Sequence, residues 1–252
     1  MILERLTIAL DLVLQPNLSR LRLPRLRLPS VTIVEGMGRN AGWLTAASAL
    51  ARIEGRKVPQ LIYLCEKAFD EDRFIEDVNE ALKKENNIII AVSEGVKTAD
   101  GNYVGEETKS GKEDVFGHKH LGKYLEGLVG EKIGCKVRSV ELNILQRCAG
   151  YMLSETDIME SRNLGAFAAV SAIRGKSGKM SAVRRISDDP YQVEIVLSDL
   201  SKIANYEKKV PMEWINEEGN DIKDELLTYL KPLIQGEVQI PYENGIPKRF
   251  IL

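Results

Sequence analysis

The 252-residue sequence has few cysteines and almost no excess of charge. Its three cysteines, Cys65, Cys135 and Cys148, show neither a CxxC motif nor paired spacing, which predicts reduced thiols packed as small hydrophobes. With 35 basic and 37 acidic side chains, the chain has no surplus of positive charge to follow a nucleic acid backbone. These absences argue against a disulfide framework and against nucleic acid as a partner.

Long apolar runs are also absent. No stretch approaches the ~20 apolar residues that are needed to span a bilayer. The apolar opening MILERLTIALDLVL carries Glu4 and Asp11, which argue against a signal peptide. Together with the reduced thiols, this composition predicts a cytoplasmic protein that has no membrane partner.

From Val31 onward, short β-branched runs alternate with longer helical patterns. The predicted strands are 31–34, 61–64, 88–92 and 140–145, and the predicted helices are 41–52, 70–86, 119–133 and about 157–174. Such alternation predicts an α/β fold, in which a mostly parallel sheet carries helices on both faces.

Polar residues follow three of the predicted strands. Two glycines and Arg39 follow the first strand, Glu94 follows the third and Arg147 follows the fourth. Ligands of open α/β sheets bind at the carboxyl ends of the strands, so we expect these residues to converge. Guanidinium groups bind phosphate oxygens and a carboxylate accepts hydroxyl protons, which favours a phosphorylated sugar. Taken singly, Arg39 is better explained as a surface charge at a helix start, and Glu94 and Arg147 are equally well explained as loop charges.

Several longer motifs carry a more specific resemblance. The run VTIVEGMGRNAGWLTAASALA, together with SEG at 93–95, FGHKHLG at 116–122, VELNILQRCA and RRISDDPYQVE, resembles the 6-phosphofructokinase family. The similarity covers about residues 30–250 and is strongest to the diphosphate-dependent and mixed branch of the family. It implies a phosphofructokinase-like fold and phosphoryl transfer to the 1-hydroxyl of fructose 6-phosphate in glycolysis. Diphosphate or ATP would be the donor, and Mg²⁺ the cofactor, with its ligands outside this chain.

The resemblance also implies a role for each matching residue. The Met-Gly-Arg run contacts fructose 6-phosphate, Glu94 binds sugar hydroxyls and Arg147 holds the sugar phosphate. A further arginine, Arg138, corresponds to one that reaches the neighbouring subunit's site, which implies a homo-oligomer. The implied substrate-binding residues are Met37, Gly38, Arg39, Glu94, Arg138 and Arg147.

The sequence departs from the family pattern at its start. The family carries a GGDD-like donor turn and TIDND-like catalytic aspartates well before the Met-Gly-Arg strand, whereas this chain has thirty residues there and neither motif. We therefore assign no catalytic residue and expect a truncated chain whose donor domain is largely missing and which is inactive on its own. The expected organisation is an atypical, disordered leader (1–29), a fructose 6-phosphate domain (30–145) and a C-terminal segment (146–252). A non-catalytic sugar-phosphate-binding fragment or pseudo-subunit, or a non-functional gene product, remains an alternative.

Two other features have simpler explanations, and a third predicts self-association. His118 and His120 resemble a metal pair, but no third ligand is spaced to complete a site, so we expect a surface turn and no metal. GKSGK at 175–179 lacks the spacing of a phosphate loop.

The helix 157–174 carries too many apolar residues for a solvated surface, so we expect the isolated chain to self-associate or to be unstable.

Overall fold

The computed structural model describes residues 29–53, 55, 57–105, 121–148 and 153–248. The leader up to residue 28 and the pair His118 and His120 lie outside the described residues, and the predictions made for them are untested. Within the described ranges, no helix combines the length and the hydropathy that a membrane span requires.

A sheet of four parallel strands forms the centre of the protein. The strands are β1 (Ser30–Gly36), β2 (Leu61–Tyr63), β3 (Asn87–Ser93) and β4 (Lys136–Glu141), in the order β2-β3-β1-β4. Strand β1 is central and pairs along its length with β3, so that Gly36 lies opposite Ser93. Their carboxyl ends therefore meet at the same edge of the sheet.

The other elements of the described residues are helices, 3₁₀-helices and two pairs of antiparallel strands. The helices are α1 (Trp43–Ala46), α2 (Glu71–Lys84), α3 (Leu121–Ile133), α4 (Leu145–Cys148), α5 (Glu155–Ile173), α6 (Leu200–Ile203) and α7 (Asp224–Leu230). Segments of 3₁₀-helix are Ala47–Arg52, Met212–Trp214 and Lys231–Ile234. The remaining strands are β5 (Lys179–Asp188) with β6 (Tyr191–Asp199), and β7 (Tyr242–Glu243) with β8 (Ile246–Pro247).

Both faces of the parallel sheet are covered, as the sequence predicted. On one face, Phe74 of α2 and Leu125 of α3 pack against a cluster that includes Ile33 and Ile90, and all four side chains are fully buried. On the other face, most of the buried residues that cover the sheet come from α1, the following 3₁₀-helix and α7. They are Ala46, Ala47, Ala49, Leu50, Leu226 and Leu230, and they pack with Ile62, Leu64 and Ala91.

Helix α2 shows how local sequence sets an element. The Asp70 side chain accepts a hydrogen bond from the Arg73 backbone N–H at 2.8 Å and caps the helix. Acidic residues occupy its first turn, while Lys83 and Lys84 occupy its last, which suits the helix dipole.

The fourth strand was predicted too late in the chain. The apolar run 140–145 indicated a strand, but β4 spans Lys136–Glu141 and the chain then turns into α4. Strand β4 lies at the edge of the sheet, where alternate side chains such as Lys136 and Arg138 face solvent. Because of these charged residues, the first half of the strand does not show the apolar pattern on which the prediction was based.

The C-terminal part of the chain contains a region with little burial. We call α5 together with the β5–β6 hairpin the C-terminal arm. Ser171 is the one buried residue of α5, and neither strand of the hairpin has a buried position. Beyond the arm, Val210, Ile215 and α7 return to pack on the parallel sheet.

Candidate functional site

A cavity of about 360 Å³ opens at the carboxyl ends of β1 and β3. It brings together five of the six residues that the sequence singled out for substrate binding. Its lining comprises Met37, Gly38, Arg39, Asn40, Ala41, Leu44, Glu94, Arg147 and Glu207.

Hydrogen bonds fix the turn after β1. The Met37 N–H donates to Gln146 Oε1 at 2.9 Å, and the Gly38 N–H donates to Glu94 Oε1 at 3.2 Å. These bonds join the ends of β1 and β3 and the short helix α4, which are far apart in sequence. The other oxygen of Glu94 has no partner among the described residues, which leaves it available to a ligand hydroxyl.

Glycines are required at two positions of the site, Gly38 in this turn and Gly95 in the turn after β3. Gly38 has a φ of 143°, and a Cβ there would lie 2.6 Å from the Ala41 carbonyl oxygen. At Gly95 a Cβ would lie 1.7 Å from the Arg39 carbonyl oxygen, because the backbone after Glu94 packs directly on the backbone at Arg39. The two site segments therefore approach more closely than side chains would allow.

A later part of the chain closes one side of the site. The Asn40 amide donates to Glu207 at 2.6 Å, and the Trp43 indole N–H donates to the Lys208 carbonyl at 2.6 Å. We call residues 207–210 the strap. Because it lies more than 160 residues from the turn after β1, no local sequence pattern pointed to Glu207 as a lining residue.

The strap is also held through Glu66. One carboxylate oxygen of Glu66 accepts hydrogen bonds from the backbone N–H groups of Gly42 and Val210, both at 2.9 Å.

Burial raises the pKa of the neighbouring Cys65 thiol to about 12, and the Glu66 charge adds to this shift. The thiol therefore stays protonated at neutral pH and is not a nucleophile in this site.

Arg138 does not line the cavity of its own chain. It lies in the middle of β4, opposite Thr32 of β1, and its side chain is exposed. Thr32 lies four positions before Gly36, so Arg138 is about 13 Å from the carboxyl edge of the sheet at ~3.3 Å per residue. A contact of Arg138 with a neighbouring subunit remains a prediction.

The described residues do not fit a metal ion. None of them form a group of three or more His, Cys, Asp or Glu side chains that could bind one. All three cysteines are free thiols, but Cys65 and Cys135 are only partly buried and Cys148 is exposed, so the expectation that all three pack as small buried hydrophobes is wrong.

Comparison with known proteins identifies the family to which this fold and site belong. A family model described as Phosphofructokinase matches residues 28–173. The chain is 38% identical over 220 residues to pyrophosphate–fructose 6-phosphate 1-phosphotransferase of Methylococcus capsulatus, an alignment that covers 86% of this chain and 52% of the relative. The chain therefore belongs to the phosphofructokinase family, which confirms the resemblance drawn from its motifs.

A solved structure and a second relative extend this comparison. The crystal structure of a pyrophosphate-dependent phosphofructokinase from Nitrosospira multiformis matches with a TM-score of 0.80 and 30% identity, covering 98% of this chain and 57% of that one. ATP-dependent 6-phosphofructokinase 2 of Streptomyces coelicolor is 28% identical over 192 residues, covering 74% of this chain and 51% of the relative. The chain spans about half the length of the curated relatives it matches.

Proposed function

We propose that this chain binds fructose 6-phosphate in the cavity at the carboxyl ends of β1 and β3. The observation that carries the proposal is the convergence of Arg39, Glu94 and Arg147, which come from three separate segments, on one cavity. Two guanidinium groups and one carboxylate match a ligand that carries a phosphate at one end and hydroxyl groups at the other.

Each side chain has a distinct part in this proposal. Arg147 binds the 6-phosphate, and Glu94 accepts a hydrogen bond from a sugar hydroxyl through the oxygen that does not contact Gly38. Met37 and Gly38 present backbone to the sugar, since the Gly38 conformation leaves no room for a side chain. Arg39 supplies a second cation at the same cavity.

The wider activity is proposed for the full-length enzyme. It transfers a phosphoryl group to the 1-hydroxyl of fructose 6-phosphate in cytoplasmic glycolysis, and catalysis depends on positioning and charge neutralisation. Diphosphate is the favoured donor because the Methylococcus and Nitrosospira proteins are both named for it, and ATP is the alternative that the Streptomyces relative represents. The same proposal includes Mg²⁺ as the cofactor. It also includes a homo-oligomer, in which Arg138 contacts the neighbouring subunit.

A second candidate is sugar-phosphate binding without turnover. It is favoured by the length of the match, since the chain spans 52% of its Methylococcus relative. Under this proposal the cavity retains its affinity for fructose 6-phosphate, while neither donor supports product formation.

Calorimetric titration of the whole chain with fructose 6-phosphate tests the binding proposal. Arg147→Ala should weaken binding at least tenfold, because losing a charged hydrogen-bonding partner costs ~1.5–3 kcal/mol. Arg174→Ala, at the exposed end of α5, is the matched control and should bind like the wild type. Wild-type binding that Arg147→Ala leaves unchanged would refute the assignment.

A turnover assay separates the two candidates. The chain is incubated with fructose 6-phosphate and Mg²⁺, and with diphosphate or ATP in separate reactions. Formation of fructose 1,6-bisphosphate that Glu94→Gln abolishes supports the phosphotransferase. Binding without product from either donor supports the second candidate.

A further inference from the structure

A short hairpin follows Glu94 and leads the chain back toward the site. Val104 N–H donates to the Val96 carbonyl at 3.2 Å, and Thr98 N–H donates to the Asn102 carbonyl at 2.9 Å. Between these bonds, Lys97 and Tyr103 form an antiparallel bridge. Val96 and Val104 are 1% and 5% exposed and belong to the main core cluster. The hairpin is therefore anchored, and it holds Tyr103 in a fixed position.

The Tyr103 side chain contacts Arg39 in two ways. Arg39 Nε donates to the Tyr103 hydroxyl at 3.3 Å, and the guanidinium carbon lies 5.0 Å from the centroid of the ring. The Lys97 ammonium lies 4.4 Å from the same centroid. A cation at this range is attracted to the face of an aromatic ring, so Tyr103 holds Arg39 by a hydrogen bond and by its ring.

The backbone of Arg39 is fixed by the same loop. Gly95, which begins the hairpin, packs so closely on Arg39 that a Cβ would lie 1.7 Å from the Arg39 carbonyl oxygen. A single loop thus restrains both the backbone and the guanidinium of an otherwise exposed, flexible side chain. Restraint before binding reduces the rotamer entropy that the ligand must remove.

The contact also determines which part of the guanidinium meets the ligand. The Tyr103 hydroxyl accepts the hydrogen bond of Arg39 Nε, whereas the two terminal nitrogens of Arg39 have no partner among the described residues. Paired N–H groups of this kind bind phosphate or vicinal oxygens in a bidentate manner. Arg39 also lines the cavity, so these two nitrogens are the ones available to its occupant.

We propose that Tyr103 is a positioning residue that orients the guanidinium of Arg39 for an oxygen-rich ligand in this cavity. The inference rests on the proposed function, in which that ligand is fructose 6-phosphate. Tyr103 does not line the cavity and acts through Arg39 alone.

Three variants of the whole chain, titrated with fructose 6-phosphate, test this role. Tyr103→Phe removes the hydroxyl and keeps the ring, and should raise Kd about threefold; Tyr103→Leu removes both contacts and should raise it about tenfold. Tyr124→Phe is the matched control, because its hydroxyl donates to Glu71 at 2.7 Å instead of to a lining residue. Its Kd should equal that of the wild type.

A double-mutant cycle distinguishes positioning from a general structural effect. In an Arg39→Ala background, Tyr103→Phe should leave Kd unchanged, because the residue that it positions is gone. An equal loss of affinity in both backgrounds would overturn the positioning role, and so would wild-type affinity in both single Tyr103 variants. Failure of the wild type to bind fructose 6-phosphate would overturn the proposed function together with this inference. If the wild type binds and Arg147→Ala weakens binding, the proposed function is supported, and the Tyr103 variants then decide the positioning role by themselves.

Discussion

Strands β3 and β5 are both paired along their length, with one register shift in β5 between Arg185 and Ser187, but their surroundings are very different. Six of the seven residues of β3 are buried, whereas none of the ten residues of β5 is buried. Helices α3 and α5 differ in the same way: α3 buries Leu121, Gly122, Leu125 and Val129, whereas α5 buries Ser171 alone. Backbone hydrogen bonding sets the shape of both regions, but burial of apolar surface is the main source of stability. We expect the parallel sheet to be stable and the C-terminal arm to be labile.

The arm relies on polar contacts where the sheet relies on packing. Cross-strand ion pairs join Arg184 to Glu194 and Lys179 to Asp199 along the β5–β6 hairpin. All four side chains are at least 36% exposed, so solvent weakens these pairs. They help to specify the register of the hairpin, but contribute little to the free energy of unfolding.

The largest expected effect compares one apolar truncation in each region. Phe74→Ala removes a fully buried side chain of α2 and should lower the free energy of unfolding by ~3–5 kcal/mol. Ile173→Ala truncates a side chain of α5 that is 86% exposed and should change it by less than ~0.5 kcal/mol. Urea unfolding followed by circular dichroism measures both, and equal losses would contradict the comparison.

A pair of glycine substitutions sharpens the same contrast. Gly95→Ala forces a Cβ against the Arg39 carbonyl and should cost ~1–3 kcal/mol or more, with weaker binding of fructose 6-phosphate. Gly165→Ala, within α5, meets no atom within 4 Å and should stabilise the helix by ~0.5–1 kcal/mol. Thermal melts and calorimetric titrations of the two variants provide the test. Destabilisation by Gly165→Ala would show that α5 is packed in solution.

The exposed apolar stripe of α5 predicts self-association. Val170 and Ile173, one turn apart, are 44% and 86% exposed. Ile173→Asp should weaken association of the chain about tenfold, since a charge on an apolar contact opposes its burial by ~1.4 kcal/mol or more. Sedimentation velocity over a concentration series measures this. Ile53→Asp, at a site that is 44% exposed outside the arm, is the control, and an equal effect there would exclude α5 as the contact.

The smallest expected effect concerns the ion pairs of the hairpin. Glu194→Ala removes the partner of Arg184 and should lower the free energy of unfolding only slightly, because both side chains are exposed to solvent. High salt should reduce the difference between variant and wild type further, because dissolved ions screen the attraction between these exposed charges. Urea melts at low and high ionic strength provide the measurement, and a loss comparable to that of Phe74→Ala would mean that the arm depends on its charges.

The sequence predicted the parallel sheet and most of the site for a physical reason. Buried strands such as β3 are continuous apolar runs, and the polar residues after them must meet at one edge because the strands are parallel. Arg39, Glu94 and Arg147 could therefore be grouped before their contacts were known.

Other features could not be predicted, because their sequence patterns are weak or their contacts are remote. Strand β4 was misplaced since its exposed edge carries Lys136 and Arg138, and the β5–β6 hairpin was missed because nothing in it is buried. Glu207 reaches the site only through tertiary packing of the strap. Tyr103 gave no sequence signal, because a tyrosine in a polar loop has no pattern that points to Arg39.

The strap has a consequence for the order of folding. Strands β1 and β3 can pair once residue 93 is available, but the turn at Asn40–Trp43 takes its final contacts from Glu207, Lys208 and, through Glu66, Val210. Contacts at such sequence separation form slowly, because a long chain segment must be closed before they are made. Binding competence should therefore appear later in refolding than the parallel sheet does. A chain ending before residue 207 would leave the turn after β1 without these contacts and would also expose the face of the sheet that α7 covers.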